Sequence, residues 1–268
     1  MTAALQAARL MSARDGALRL ALLTEGDANF TLEKAYAVAS ETCALRMARG
    51  ERPVGYKIGF TNRSIWPKYN VHAPIWAPVW DSTVTLLDHA HAEVSLHGLV
   101  QPRLEPEIVF GFAATPKPAA TEAELTRCLA WVAHGVEIVQ THFDGWRFAA
   151  PDTVADFGLH GRLLVGPRVA VGDFAELGAD LAALQLELIE GETKVDSGQG
   201  SNVLDGPLNA LRLWVDAMAV HTPEWPIVAG DVVTTGTLTD AWPLRPGQRW
   251  STRLSDSRLC GLALDLVA

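Results

Sequence analysis

The stretch Arg103-Leu104-Glu105-Pro106-Glu107-Ile108-Val109-Phe110-Gly111 constrains this chain more than any other. Two acids, two residues apart, head an apolar run of strand-forming residues. Side chains in a β-strand alternate with period two, so Glu105 and Glu107 project from one face, about 7 Å apart. Carboxylates that close repel unless positive charge lies between them. A hard divalent cation with oxygen ligands, Mg²⁺ or Mn²⁺, satisfies that demand; a solvated strand edge is the alternative.

The 268 residues suffice for one large domain, or for a domain with a helical appendage. A composition of 49% hydrophobic and 20% charged residues is that of an ordinary globular chain. The net charge of −9 argues against nucleic acid or an anionic membrane as partner. A metal would reverse the field locally and admit a small anion. Cys43, Cys128 and Cys260 are too scattered for a zinc site or a disulfide framework. Charges interrupt every apolar run of the opening MTAALQAARLMSARDG, so it lacks a secretory core. No run approaches the roughly 18 apolar residues of a spanning helix, and a cytoplasmic location is expected.

Residues 4–24 place Ala, Leu and Arg at helical spacing up to the breakers Glu25 to Asn29. Thr31 caps a second helix that runs to Gly50, with Pro53 as its stop. Residues 1–52 thus read as an N-terminal helical segment and 53–268 as a β-rich catalytic domain. Gly55 to Thr61 is a short strand carrying Lys57 in an apolar setting, either snorkelling outward or serving as an acid/base group. Residues 62–82, with Trp66, Trp76, Trp80 and three prolines, read as an aromatic loop, a wall or mouth rather than a regular element, that ends at Asp81-Ser82. Val84 to Leu87 is a strand, and His89, His91 and His97 fit a surface hairpin better than a metal site. Thr121 to Glu124 is a capping box whose helix ends near Gly135.

Val136-Glu137-Ile138-Val139 then sets a third acid in an apolar strand, where burial is costly unless the acid is paired or ligated. The polar and aromatic loop 140–161 is long enough to be functional. Further strands at 162–165, 184–188, 193–195, 230–237 and 262–267, with a helix opened by Pro207, predict an α+β domain.

In this order Gly55-Tyr56-Lys57-Ile58-Gly59-Phe60-Thr61, Asp81-Ser82, Glu105-Pro106-Glu107-Ile108, Glu137-Ile138-Val139 and Gly230 to Thr237 resemble a known family. It is the 2-keto-4-pentenoate hydratase and 4-oxalocrotonate decarboxylase family, part of the fumarylacetoacetate hydrolase superfamily. The resemblance covers nearly the whole chain. Its most specific part is Glu-x-Glu with a third Glu about thirty residues on, after a Lys-Ile-Gly strand. It implies a mixed, partly closed β-structure with flanking helices and an N-terminal helical segment, assembled as a homo-oligomer. It also implies that Glu105, Glu107 and Glu137 hold Mg²⁺ or Mn²⁺, with Lys57 as active-site lysine. Asp81 would be a catalytic acid that orients that lysine or a water, and Thr237 a hydroxyl near the substrate carboxylate.

The implied activity is that of a lyase on small anionic 2-oxo acids, in aromatic-compound catabolism. It would hydrate a 2-hydroxy-2,4-dienoate to a 4-hydroxy-2-oxo acid, or decarboxylate an oxalocrotonate-type acid. Three carboxylates leave about half of an octahedral shell for a chelating 2-oxo acid. Lys57, beside a dication and partly desolvated, is expected to have a lowered pKa and to shuttle protons.

The chain departs from the family at Gln140-Thr141-His142, where Asp-Ser-Arg is usual. It departs again at Asp156-Phe157-Gly158-Leu159-His160, where Asp-Asn-Ala-Ser is usual. Phe157 is expected to line a more apolar substrate wall, with His142 and His160 as polar partners or else plain loop residues, and a substrate tail less charged than a dicarboxylate. One competing reading is a C–C bond hydrolase of acylpyruvate-type diketo acids. Its His and Glu lid is not recognisable after Thr61, which is followed by His72 but by no Glu before Glu93. The other is a non-enzymatic binding module, against which the three acids and Lys57 argue.

Overall fold

Alternation along the Glu-x-Glu strand sets the layering of the protein. The computed structural model describes residues 1–222 and 224–268, with Lys68 described by its backbone alone. The chain opens with α1 (Ala3–Asp15), a single turn α2 (Leu23–Gly26) and α3 (Leu32–Ala48). β1 (Pro53–Gly59) then leads through α4 (Trp66–Tyr69) to β2 (Ile75–Trp80), β3 (Val84–Leu86) and β4 (His91–Ser95). Next come β5 (Arg103–Phe112), α5 (Glu122–Thr126), β6 (Leu129–Val139) and α6 (Ala150–Ala155), followed by β7 (His160–Val165), β8 (Val169–Ala170) and α7 (Leu177–Ala183). The remainder is β9 (Gln185–Glu190), β10 (Thr193–Gln199), α8 (Pro207–His221), β11 (Val232–Thr237), β12 (Trp242–Pro243), β13 (Arg249–Leu254) and β14 (Ala263–Val267).

Two mixed sheets result. The larger runs β2-β1-β11-β5-β6-β7-β3, with β12 beside β5 and β8 beside β6; the smaller runs β10-β9-β13-β14-β4. Even-numbered residues of the central strands, Leu104, Ile108 and Phe110 on β5 and Val132, Val136 and Ile138 on β6, join the main core with Leu186, Leu188, Trp250 and Leu264 of the smaller sheet. The odd-numbered face of β5 and β6 is thereby turned away from the second sheet, and it carries the acids. Helices α1 and α3 are held differently. Leu10, Met11 and Val38 share a second apolar core with Phe143, Val154 and Phe157.

Four expectations are corrected, three of them by long-range pairing. The first helix stops at Asp15, where the Gly16 N–H bonds back to the Ser12 carbonyl, rather than at residue 24. The aromatic loop contains β2, antiparallel to β1. Pro78 is tolerated there because β2 is the edge strand of the larger sheet among the described residues. His91 lies on β4, which pairs in parallel with β14 of the smaller sheet instead of forming a hairpin. The capping box at Thr121 is formed, yet its helix ends at Thr126. Trp131, Val132, Val136, Ile138 and Val139 then suit a strand, and β6 pairs with β5 along most of its length. Among the described residues, no helix is long and apolar enough to cross a membrane.

Candidate active site and metal centre

Glu105 and Glu137 lie directly opposite one another across β5 and β6, and Glu107 is one alternation further along. Ligand oxygens of the three lie within 4.8 Å of one another. Glu107 and Glu137 are fully buried, and Glu105 is half-buried at the wall of a cavity of about 320 Å³.

Each acid is held by its own neighbours. One oxygen of Glu107, Oε2, accepts from the Gly236 N–H at 2.6 Å and from the Thr234 hydroxyl. A register shift in β11 between Thr234 and Thr237 aims that amide inward. Gly236 makes the shift with φ of 103°, and a Cβ there would fall 1.8 Å from Thr61 Oγ1. Glu137 Oε1 lies 2.7 Å from His160 Nδ1, while His160 Nε2 lies 2.9 Å from the Thr83 hydroxyl. Burial lowers the pKa of His160 against the opposing pull of Glu137, and the Nδ1–H directed at the Glu137 carboxylate orients the ring. Lys57 reaches Glu137 Oε2 from β1 with Nζ at 3.0 Å, an ion pair without hydrogen-bond alignment.

These contacts leave Glu107 Oε1 and Glu137 Oε2 buried without a hydrogen bond, and Glu105 has no hydrogen-bond partner among the described residues. Burial, with Glu137 adding to it, raises the Glu105 carboxyl to about 7 against the opposing pull of Lys57. Burial, then Glu137 and Glu105, holds Glu107 well above the usual carboxylate range. Glu137 stays low because Lys57 and His160 outweigh its burial. The unpartnered Glu107 Oε1 forms, with the Glu105 carboxylate and a Glu137 oxygen met only by Lys57, a converging and mutually repelling cluster that fits a hard divalent cation. Lys57 itself differs from the lowered pKa expected of it. Burial pulls the ammonium down, but Glu137, Glu105 and Glu107 outweigh it and the net shift is upward.

Thr237 joins Glu105 and Lys57 at the cavity wall, with its hydroxyl donating to the Thr239 carbonyl at 3.0 Å. His160 is brought to the site as a holder of Glu137 rather than as a wall. The other sequence-derived residues lie elsewhere. Asp81 is on the surface, where its carboxylate takes the Arg52 N–H and Nε, each at 3.0 Å. The turn after β2 carries it away from Lys57. His142 is buried with Nδ1 at 2.5 Å from Asp156 Oδ1, and its carbonyl accepts from Leu20 N–H, tying the N-terminal segment to the loop before α6.

Phe157 is turned into the helical core, under the Arg14 guanidinium. Phe157, Gly158 and Leu159 have φ of 56°, 60° and 65°, so the backbone reverses and sends Gly158 and Leu159, not Phe157, to the cavity. A Cβ on Gly158 would meet Ala77 Cβ at 2.7 Å and Lys57 Cδ at 3.2 Å. Close approach of the turn to Lys57 therefore requires glycine.

Sequence reasoning passed over Arg103; it expected an aromatic wall from residues 62–82 and a functional loop at 140–161 without singling out Phe60, Tyr69, Trp146 and Phe148, all of which line the cavity. Arg103 was legible, since it shares the odd-numbered face with Glu105 and Glu107. The aromatic wall is assembled from the residue after β1, from α4 and from the loop before α6, the last distant in sequence from the others.

No family model matches the chain. It is 31% identical over 258 residues to the 2-hydroxyhexa-2,4-dienoate hydratase of Comamonas testosteroni, covering 96% of this chain and 95% of that protein. The chain belongs to the 2-keto-4-pentenoate hydratase and 4-oxalocrotonate decarboxylase family. The 2-keto-4-pentenoate hydratase 1 of Dechloromonas aromatica is 31% identical, over 83% of this chain and 81% of its own length. In structure this family member matches the 4-oxalocrotonate decarboxylase of Pseudomonas putida G7, solved with magnesium and adipate. The TM-score is 0.89 at 22% identity, with 99% of this chain and 97% of that one covered. The fold is that of the fumarylacetoacetate hydrolase superfamily, as the sequence predicts. A fumarylpyruvate hydrolase of Pseudomonas aeruginosa matches more loosely, with a TM-score of 0.58 at 11% identity, over 81% of this chain and 89% of that one.

Proposed function

We propose that this chain is a divalent-metal-dependent lyase that hydrates a 2-hydroxy-2,4-dienoate to a 4-hydroxy-2-oxo acid. Decarboxylation of an oxalocrotonate-type acid is the second use to which the same site is suited. The observation that carries this is the buried convergence of Glu105, Glu107 and Glu137 beside Lys57, with Glu105 and Lys57 lining one cavity. The metals and small acid named for the structural relatives and the dienoate hydratase activity of the sequence relatives support it. Glu105, Glu107 and Glu137 would hold Mg²⁺ or Mn²⁺, which supplies Lewis acidity toward a 2-oxo group and its adjoining carboxylate.

The chain's own residues do the rest. Lys57 Nζ, buried and charged, is placed to give a proton to the far end of the dienol as its 2-hydroxyl proton is lost, which yields the conjugated 2-oxo acid. Addition of water to that double bond places hydroxide on C4 and a proton on C3. In the decarboxylation, the electron pair of the breaking C–C bond moves through the same conjugated chain towards the 2-oxo oxygen, and CO₂ departs. The Thr237 hydroxyl is on the wall where the substrate carboxylate would lie, and Gly158 with Leu159 closes the side next to Lys57.

No histidine lines the cavity among the described residues, so the base that a C–C hydrolase would use to activate water is missing, and the hydrolase reading is weaker. Apolar residues exposed on the helices and on β3, among them Leu5, Met47 and Leu86, support a homo-oligomer, and we extend the proposal to a cytoplasmic one.

The test is to incubate purified protein with Mg²⁺ and a 2-hydroxydienoate, then with an oxalocrotonate-type diacid, and to follow products by NMR. A 4-hydroxy-2-oxo acid is the expected product of the first. Release of CO₂ from the second without hydration of the first would assign the decarboxylase instead. Cleavage of an acylpyruvate with neither other reaction would overturn the proposal.

A further inference from the structure

We propose that Arg103 is the substrate-positioning residue of the cavity, its guanidinium seating a carboxylate of the bound acid beyond Glu105. This rests on the assignment of the site to small 2-oxo acids and extends it to how such an acid is held.

Arg103 stands on the same face of β5 as Glu105 and Glu107, one alternation further out, and it lines the cavity. Its guanidinium lies over the Trp146 ring, 4.2 Å from the centroid. Trp146 continues into Phe148 at 6.0 Å, Phe148 stacks on Tyr69 at 5.4 Å, and Tyr69 meets Phe60 at 5.2 Å. A guanidinium lying on an aromatic face keeps its N–H edge free for in-plane hydrogen bonds, the arrangement that suits bidentate binding of a carboxylate.

Among the described residues that edge meets no hydrogen-bond acceptor, and the nearest negative group acting on it is Glu105, itself facing the cavity. Among the described residues Arg103 makes no ion pair, whereas Arg46 pairs with Glu51 and Arg63 with Asp205. In a chain of net charge −9, a pocket arginine left without an ion pair is available to an anion from outside. Charge balance points the same way. Three carboxylates against a dication and the Lys57 ammonium leave the inner site neutral, so the substrate's negative charge finds its counter-ion in Arg103. The reach is also suitable. Arg103 and Glu105 are about 7 Å apart along the strand, a span of six backbone bonds, which is the length of a short 2-oxo acid.

The carboxylate can be the one next to the 2-oxo group or a second one at the tail, and the experiment separates them. Binding of 2-oxopentanoate and of 2-oxohexanedioate, neither of which can be hydrated, is measured by calorimetry on Mg²⁺-loaded wild type, Arg103→Met and Arg103→Lys. Loss of a charged bidentate contact is expected to weaken Kd by at least about tenfold in Arg103→Met. Arg103→Lys should recover part of the loss, because it keeps the charge but not the fork. Mn²⁺ affinity, unchanged in both variants, shows that they are folded.

A loss for both acids assigns Arg103 to the carboxylate beside the 2-oxo group. A loss confined to the diacid assigns it to the tail, and then the expectation of a less charged substrate fails as well. Unchanged affinity for both acids in Arg103→Met overturns the proposal and leaves Arg103 as part of the wall. Wild-type protein that takes up Mn²⁺ yet binds neither acid would overturn the underlying substrate assignment instead.

Discussion

Glu105 and Glu137 face each other in direct cross-strand register, two like charges on the buried side of a sheet. Like charges opposite one another destabilise a strand pair, and Lys57, with His160 on Glu137 and Arg103 near Glu105, offsets this only in part. Glu105→Gln is therefore expected to stabilise the metal-free protein by about 1 kcal/mol, a rise in Tm of roughly 2–4 °C for a chain of this size. The same change should abolish the Tm increase on adding Mn²⁺, and activity with it. Thermal unfolding in EDTA and in Mn²⁺ reads both. A Glu105→Gln protein less stable than wild type in EDTA would mean that the carboxylates are not in conflict.

Lys57 is expected to matter for proton transfer and not for holding the metal. Lys57→Met should lower kcat by about 10²–10⁴-fold, the usual contribution of a positioned acid or base. Because it also removes a positive charge from beside Glu137, affinity for Mn²⁺ should be equal or tighter. If Lys57 only oriented Glu137, metal affinity would fall together with kcat, and a titration of Mn²⁺ binding distinguishes the two.

Legibility in the sequence followed the range of the forces involved. Period-two alternation depends only on the strand, so Glu105 and Glu107 were readable, and Arg103 would have been by the same rule. Strand β6 was hidden behind Thr121 and Glu124, whose capping box is a strong local signal for a helix of only five residues. Pairing with β5, which decides the rest, is long-range. Asp81 matches a motif position, but its direction depends on the turn after Trp80 and on the nearby Arg52. Phe157 sits in three successive left-handed residues, of which Gly158 alone announces itself in the sequence. The sequence showed which residues were unusual there and not which way they faced.

His160 is expected to act on the metal through Glu137. Loss of such a supporting hydrogen bond commonly weakens metal binding 10–100-fold. His160→Ala should therefore raise the Kd for Mn²⁺ by that factor while the fold persists, and saturating metal should restore much of the lost turnover. Activity lost at all metal concentrations, with Kd unchanged, would place His160 in the chemistry instead.

His134 carries a prediction about pH. Its ring is buried between the sheets, with Nδ1 3.0 Å from the Glu107 carbonyl and Nε2 2.9 Å from the Thr252 hydroxyl. Burial pushes its pKa down to about 4, while in the unfolded chain a histidine titrates near 6.5. Above pH 6.5 both states are neutral and the site contributes its full stability. Between 6.5 and 4 the unfolded chain takes up a proton that the folded one refuses, so stability falls as the pH falls. The total is on the order of 3 kcal/mol, from about 1.4 kcal/mol per unit of difference. Other groups titrate over the same range, and the difference between wild type and His134→Gln removes them. Glutamine can still donate to the Glu107 carbonyl and accept from Thr252, but it cannot take a proton. Urea unfolding of both proteins in EDTA, from pH 7.5 to 4.5, should show wild type losing stability relative to the variant below about pH 6.5. Parallel curves would mean that His134 keeps an ordinary pKa in the fold, and that the contact between the sheets is open to water.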